Sequence, residues 1–392
     1  MRVLRAVSLG LTAWACLVAC ADKQRAPPAG SDPHRDADAG GGGGLVLSDA
    51  QADPSGPCGE QRIPAIEHPP NLSFIVDRSA SMSDHFPGTG LSKYESARVA
   101  LATVLRAVGH RVNYGLSVFP GLAGATGCEA GDALLEVARG DDPEYAREGL
   151  NGPRLRDLLT RLSQAGVAGG TPVAATLNAT APTLTGLGGE TFAVLITDGA
   201  PNCNAELECV EQGCIPNIEG LSYAGQNCTQ GVNCCARTTA NPRANLSCVD
   251  DEASVAAVRD LAEAGVRTFV VGMPGSESYE VLLDAMAEAG GTARDDVPRY
   301  YPVTDTEALE RSLTAIAASV AISCDLPLDY VPKDPSFVNV YFDNQVVQYD
   351  TDEGWAWTDE GHVSIRGAAC EQLQRGDVFE VQVFAGCKTQ VK

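Results

Sequence analysis

Positive charge is scarce in this 392-residue chain: 28 Lys and Arg stand against 51 Asp and Glu, a formal net charge of −23. The acidic residues are spread along the chain rather than gathered in a tail. Phosphate backbones and anionic membrane surfaces are therefore repelled, which excludes nucleic acid and leaves cations or basic protein patches as partners. Histidine is sparse as well. His34, His68, His85, His110 and His362 are scattered, with no His-x-x-x-His pair, and neither a Gly-x-Ser-x-Gly serine motif nor an ATP-binding loop occurs. These absences argue against an enzyme. No two cysteines have Cys-x-x-Cys spacing, which argues against a zinc ribbon.

Long apolar runs are also missing beyond the N-terminus. Met1-Arg2-Val3-Leu4-Arg5 and the apolar stretch to Ala19 have the basic and hydrophobic parts of a secretory signal and are too short to span a bilayer stably, so residues 1–19 are expected to be removed. Leu17-Val18-Ala19-Cys20 resembles the bacterial lipobox. That resemblance implies a lipid on Cys20 as the first residue of the mature chain; an ordinary signal peptide is the alternative. Residues 20–56 then read as a lipidated end and a flexible tether, because Pro27-Pro28, five glycines from Gly40 to Gly44 and scattered Asp and Ser give little to bury. The expected location is the bacterial cell envelope, periplasmic or cell-surface, with the membrane touched only through the lipid anchor.

Of the 14 cysteines, Cys16 leaves with the signal and Cys20 takes lipid, so 12 remain, an even number suited to disulfides in an oxidising compartment. Cys203, Cys209, Cys214, Cys228, Cys234, Cys235 and Cys248 crowd residues 201–250, where hydrophobic periodicity is weak. Disulfides are expected to replace a core there. Seven is odd, so at least one of these cysteines must pair outside the segment, and Cys128 is the partner we expect.

From Asn71 the pattern alternates strand and helix. Leu72 to Val76 is a buried strand ending at Asp77. Ser92 and Glu95 form a capping-box pattern before a helix to about Gly109, with Ala97, Leu101, Val104, Leu105 and Val108 on its inward face. Residues 112–119, 133–137, 191–196 and 267–271 read as further strands, and residues 253–264, 278–289 and 305–320 as helices. Nearly unbroken apolar strands separated by helices predict a doubly wound, mostly parallel α/β sheet, with ligands at the carboxyl ends of the strands. From Cys324 the texture changes to short strands divided by turns, so residues 324–392 are expected to form a small all-β domain.

Asp77-Arg78-Ser79-Ala80-Ser81 places one carboxylate and two hydroxyls at alternate positions just after a buried strand, a set of hard oxygens suited to Mg²⁺. Here the chain resembles the von Willebrand factor type-A (VWA) family, whose metal-ion-dependent adhesion site combines an Asp-x-Ser-x-Ser loop with a Thr and an Asp from two later loops. Gly169-Gly170-Thr171-Pro172 matches the second loop and Leu195-Ile196-Thr197-Asp198-Gly199 the third. The resemblance implies a VWA domain over residues 57–323 with the cysteine-rich insertion at 201–250. It also implies a divalent cation, Mg²⁺ first and Mn²⁺ or Ca²⁺ as alternatives, at Asp77, Ser79, Ser81, Thr171 and Asp198. An open coordination position would take an Asp or Glu carboxylate from a protein ligand. The alternative is a structural envelope protein whose metal only stabilises the fold.

In the same family cysteines often flank the α/β unit, which suggests Cys58–Cys324, leaving Cys370–Cys387 to bracket a hairpin. Asp350, Asp352, Glu353, Asp359 and Glu360 read as a solvated turn rather than a calcium loop. Trp355 and Trp357, two apart, read as core rather than a sugar platform.

Overall fold

In the computed structural model, residues 69–223, 225–321, 324–327, 335–359, 362–374, 378 and 381–385 are described. The expected signal, Cys20, the tether, Cys58 and Cys387 lie outside them.

The central sheet is built from β1 (Asn71–Asp77), β2 (Asn113–Phe119), β3 (Asp132–Arg139) and β4 (Thr191–Thr197), joined later in the chain by two more strands. Between β4 and those strands the insertion carries short elements: the helix α5 (Ile215–Ile218), single 3-10 turns at Glu211–Gly213 and Ala244–Ser247, and a hairpin of two-residue strands, β5 (Ser222–Tyr223) with β6 (Gln226–Asn227). Then follow β7 (Val266–Gly272) and β8 (Tyr301–Pro302), and the sheet order is β3-β2-β1-β4-β7-β8. All neighbouring pairs are parallel except β2 with β3, whose antiparallel strand forms one edge.

Helices cover both faces: α1 (Lys93–Val108), α2 (Pro143–Arg147), α3 (Pro153–Ala165), α4 (Val173–Thr185), α6 (Asp251–Glu263), α7 (Glu280–Ala289) and α8 (Thr306–Ala321). The two-residue period of a strand divides β1 between two cores. Phe74 and Val76 pack with Leu101 of α1, Leu158 of α3 and Leu313 of α8, whereas Ile75 packs with Leu177 of α4, Val258 of α6 and Met286 of α7. Every residue of β1 and β4 is buried, as a strand between two helical layers must be. The expected capping box is present: the Ser92 hydroxyl accepts from Glu95 N, and Ser92 N donates to the Glu95 carboxylate. Each fully buried leucine in these layers contributes ~2 kcal/mol.

The strand order fixes where a site can form. β1 lies between β2 and β4, so the chain leaves β1 toward one side and later returns on the other. This reversal opens a crevice at the carboxyl ends of β1 and β4, where Asp77 ends one strand and Asp198 follows the other.

The insertion is held by Cys209–Cys248, Cys214–Cys235 and Cys228–Cys234, and Cys214, Cys228, Cys234, Cys235 and Cys248 are buried together as its core. The seventh cysteine, Cys203, bonds Cys128.

The C-terminal region contains β9 (Asp325–Pro327), β10 (Val338–Phe342), β11 (Gln345–Val347), β12 (Trp355–Asp359), β13 (His362–Ile365), helix α9 (Gly367–Gln374) and β14 (Val381–Ala385). These strands form two three-stranded antiparallel sheets, β11-β10-β14 and β12-β13-β9. Val340, Trp355, Val363 and Ile365 belong to the same apolar cluster as α1 and α8. Trp355 is fully buried and Trp357 packs against that cluster, so the pair is core. Asp350 accepts from the N–H groups of Asp352 and Glu353, as a turn-forming aspartate does.

The expected pairs Cys58–Cys324 and Cys370–Cys387 are corrected here, because Cys324 bonds Cys370. β9 pairs with β13, Ile365 N donates to Cys324 O, and α9 begins two residues after β13, which brings Cys370 back over Cys324.

Candidate metal centre

Asp77 sits at the last position of β1 with no solvent exposure. Its Oδ1 accepts from Ser79 N at 2.7 Å, which curls the chain into the next turn. Its Oδ2 accepts from the Thr197 hydroxyl at 2.6 Å, across the β1–β4 pair. The turn brings Ser79 Oγ within 3.1 Å of Ser81 Oγ, and Ser81 Oγ donates to Asp198 Oδ1 at 2.8 Å. A continuous chain of oxygens therefore links the first loop to the third.

The second loop is tied to both. Ala80 N donates to Gly169 O and Ala168 N to Arg78 O, while Thr171 N donates to Asn202 Oδ1 at 2.8 Å and Asn202 N returns a bond to Thr171 O at 2.9 Å. Thr171 does not cap α4, since Pro172 holds that position without a side-chain cap. Asp77, Ser79, Thr171 and Asp198 are buried and Ser81 is exposed, so the group opens to solvent on the Ser81 side. The five residues expected from the sequence thus lie on three interlocked loops.

Four further residues shape the site. Lys93, at the start of α1, places its ammonium 2.7 Å from Asp198 Oδ2. Thr197 orients Asp77. Asn202 carries the Thr171 loop. Arg78 is buried and donates to Pro120 O, Gly121 O and Gly166 O, fastening the β2–β3 and α3–α4 loops beneath the first. Of these, Arg78 and Thr197 fall within the first and third motifs, at positions those motifs leave unassigned; Lys93 and Asn202 lie outside them and act across 105 and 31 residues of chain.

Burial pushes the Asp77 carboxyl up to about 7, with the nearby Asp198 charge adding to the effect and the Thr197 and Ser79 hydrogen bonds opposing it. Burial also raises Asp198, against the pull of Lys93. Two buried carboxylates with one ammonium leave uncompensated negative charge, which a divalent cation can balance. Spacing fits as well: adjacent oxygens around octahedral Mg²⁺ lie about 2.9 Å apart, and the Ser79–Ser81 and Ser81–Asp198 oxygens are 3.1 and 2.8 Å apart. The donor set of carboxylates and hydroxyls is that of a hard cation rather than a soft one. Cys209, Cys235 and Cys248 also converge, but each is committed to a disulfide.

No protein-family model matches this chain, and no curated protein matches it. Among solved structures, the pilus adhesin SpaC from Lactobacillus rhamnosus GG in its open conformation is similar at 14% identity and a TM-score of 0.45, over 81% of this chain and 38% of its own. The PilB minor pilin from Streptococcus sanguinis is similar at 16% identity and 0.42, over 64% and 61%. The vWF domain of the type V pili tip protein Mfa5 from Porphyromonas gingivalis is similar at 11% identity and 0.40, over 64% and 95%. This chain therefore spans well under two thirds of SpaC. Such distant likeness concerns the fold alone and says nothing of a ligand.

Proposed function

We propose that this protein is a non-enzymatic envelope lipoprotein that binds a protein ligand through a divalent cation, Mg²⁺ first, at Asp77, Ser79, Ser81, Thr171 and Asp198. The observation that carries the reading is the oxygen chain Ser79–Ser81–Asp198 beside the buried, charge-excess Asp77. Side chains of this kind hold a cation through neutral hydroxyls and leave its charge incompletely balanced, so an outside carboxylate completes the shell. The exposed Ser81 side is where an Asp or Glu of the partner would approach. Mn²⁺ or Ca²⁺ would meet the same oxygens. The lipid on Cys20 and the glycine-rich tether would hold the site away from the membrane, with a reach of roughly 35 Å.

A second reading has its own support: the full burial of Asp77 means that a cation would also stabilise the fold with no partner present. Pull-down from envelope extract separates the two. Wild type and Asp198→Ala would each be run with Mg²⁺ and with chelator. Proteins captured only by wild type and only with Mg²⁺ support the adhesive reading; a metal-dependent rise in melting temperature without any such capture supports the structural one.

A further inference from the structure

Lys93 is an unusual residue for its place. It occupies the first position of α1, where the partial positive charge of the helix N-terminus disfavours a cation. It is also only 6% exposed, in a chemical class rarely buried without a partner. Its partner is Asp198, whose two oxygens are divided: Oδ2 meets the ammonium at 2.7 Å and Oδ1 accepts from the Ser81 hydroxyl at 2.8 Å. Asp84 Oδ2 lies 3.8 Å from the same ammonium, on a side chain that is mostly solvent-exposed. The loop after β7 closes over the pair. Gly275 has φ +110°, a backbone conformation that favours glycine, and a Cβ there would lie 3.0 Å from Asp198 O and 3.2 Å from Lys93 Nζ, pressing on both partners.

The charge of the site follows. Among the buried groups Asp77 and Asp198 contribute two negative charges and Lys93 one positive, so, with the exposed Asp84 screened by solvent, a divalent cation would leave the loaded site at about +1. With a neutral residue at position 93 the loaded site would be about neutral. We infer that Lys93 is a specificity-determining residue of this site: its ammonium lowers the affinity for the metal and, in return, makes the loaded site select an anionic ligand over a neutral one. The inference rests on the metal reading above. It predicts effects of opposite sign on two affinities, which a merely structural lysine would not produce.

The test uses Lys93→Met, which keeps the length of the chain, and Lys93→Gln, which keeps a hydrogen-bond donor toward Asp198 should the first variant fold poorly. Mg²⁺ affinity is read by calorimetry. Anion affinity is read by titrating acetate, with acetamide as the neutral control, into Mn²⁺-loaded protein and following water-proton relaxation. The expected result is Mg²⁺ binding tighter by about tenfold or more, acetate binding weaker by a similar factor, and acetamide unchanged. Parallel loss of both affinities in both variants, or no change in either, overturns the inference. Wild type that binds no Mg²⁺ at millimolar concentration would instead overturn the metal reading itself.

Discussion

Asp77→Asn separates the charge of the buried carboxylate from its shape. Asn can keep the bond from Ser79 N through its Oδ1, and its Nδ2 would face the Thr197 hydroxyl, which can turn its own hydrogen toward Gly199 O, 3.4 Å away. The fold should survive. In wild type without metal, the folded carboxyl titrates near 7 against an ordinary 3.8. Below 3.8 both folded and unfolded chains hold the proton, and the group costs nothing. As pH rises from 3.8 toward 7 the unfolded chain ionises first, so stability falls, and above 7 the loss levels off at about 4 kcal/mol, taking 1.36 kcal/mol per pH unit. That figure is a ceiling, since relaxation and water entry reduce it. For a folded unit of about 300 residues it corresponds to about 6 °C in melting temperature. The assay is thermal and urea unfolding of both proteins in chelator from pH 4 to 8. The stability difference, Asn minus wild type, should grow by about 2–4 kcal/mol across that range. Saturating Mg²⁺ should restore the wild type at pH 8 and leave Asp77→Asn unmoved, and at pH 6 its binding should release up to one proton. Parallel pH curves, or an equal response to Mg²⁺, would refute the argument.

Two further outcomes are expected. Replacing Cys128 and Cys203 together by Ser opens a loop of 75 residues, which should cost up to about 4 kcal/mol in urea unfolding; because the bond lies against the Thr171 loop, Mg²⁺ affinity should fall as well. Gly170→Ala would put a Cβ within 2.7 Å of Cys203 Sγ and 2.8 Å of Asn202 Oδ1, the acceptor for Thr171 N. It should destabilise by about 1–3 kcal/mol and weaken Mg²⁺ binding, and a melting curve and titration matching wild type would show that the loop tolerates the shift.

What could be read from the sequence was what short segments dictate. β1 and β4 are largely apolar because both faces are covered, α1 announces itself by Ser92 and Glu95, the Asp77 and Asp198 loops follow those two readable strands, and the Thr171 loop carries its own Gly-Gly-Thr-Pro pattern. Helix α4 escaped reading because Thr176, Thr180 and Pro182 dilute its pattern; in the structure both threonine hydroxyls bond backbone carbonyls of the preceding turn. The Cys324–Cys370 bond escaped because it depends on β9 pairing with β13, a register no local spacing encodes. Lys93 escaped for the same reason. Nothing beside it in the chain marks an acidic partner 105 residues away.

The arrangement of the three loops bears on what limits the site. Arg78, the variable residue of the first motif, ties the neighbouring loops through three carbonyls, Asn202 clamps Thr171 with two bonds, and Cys128–Cys203 joins the β2–β3 loop to the start of the insertion. The candidate ligand oxygens are thus placed by groups that would not themselves touch a cation, so binding one would require little ordering of the chain. What would remain to oppose binding is electrostatic: protonation of Asp77 below about 7 and the ammonium of Lys93 beside Asp198. Affinity should therefore respond strongly to pH and to charge at position 93. Substitutions on the far face of the sheet should change stability and leave the affinity where it was.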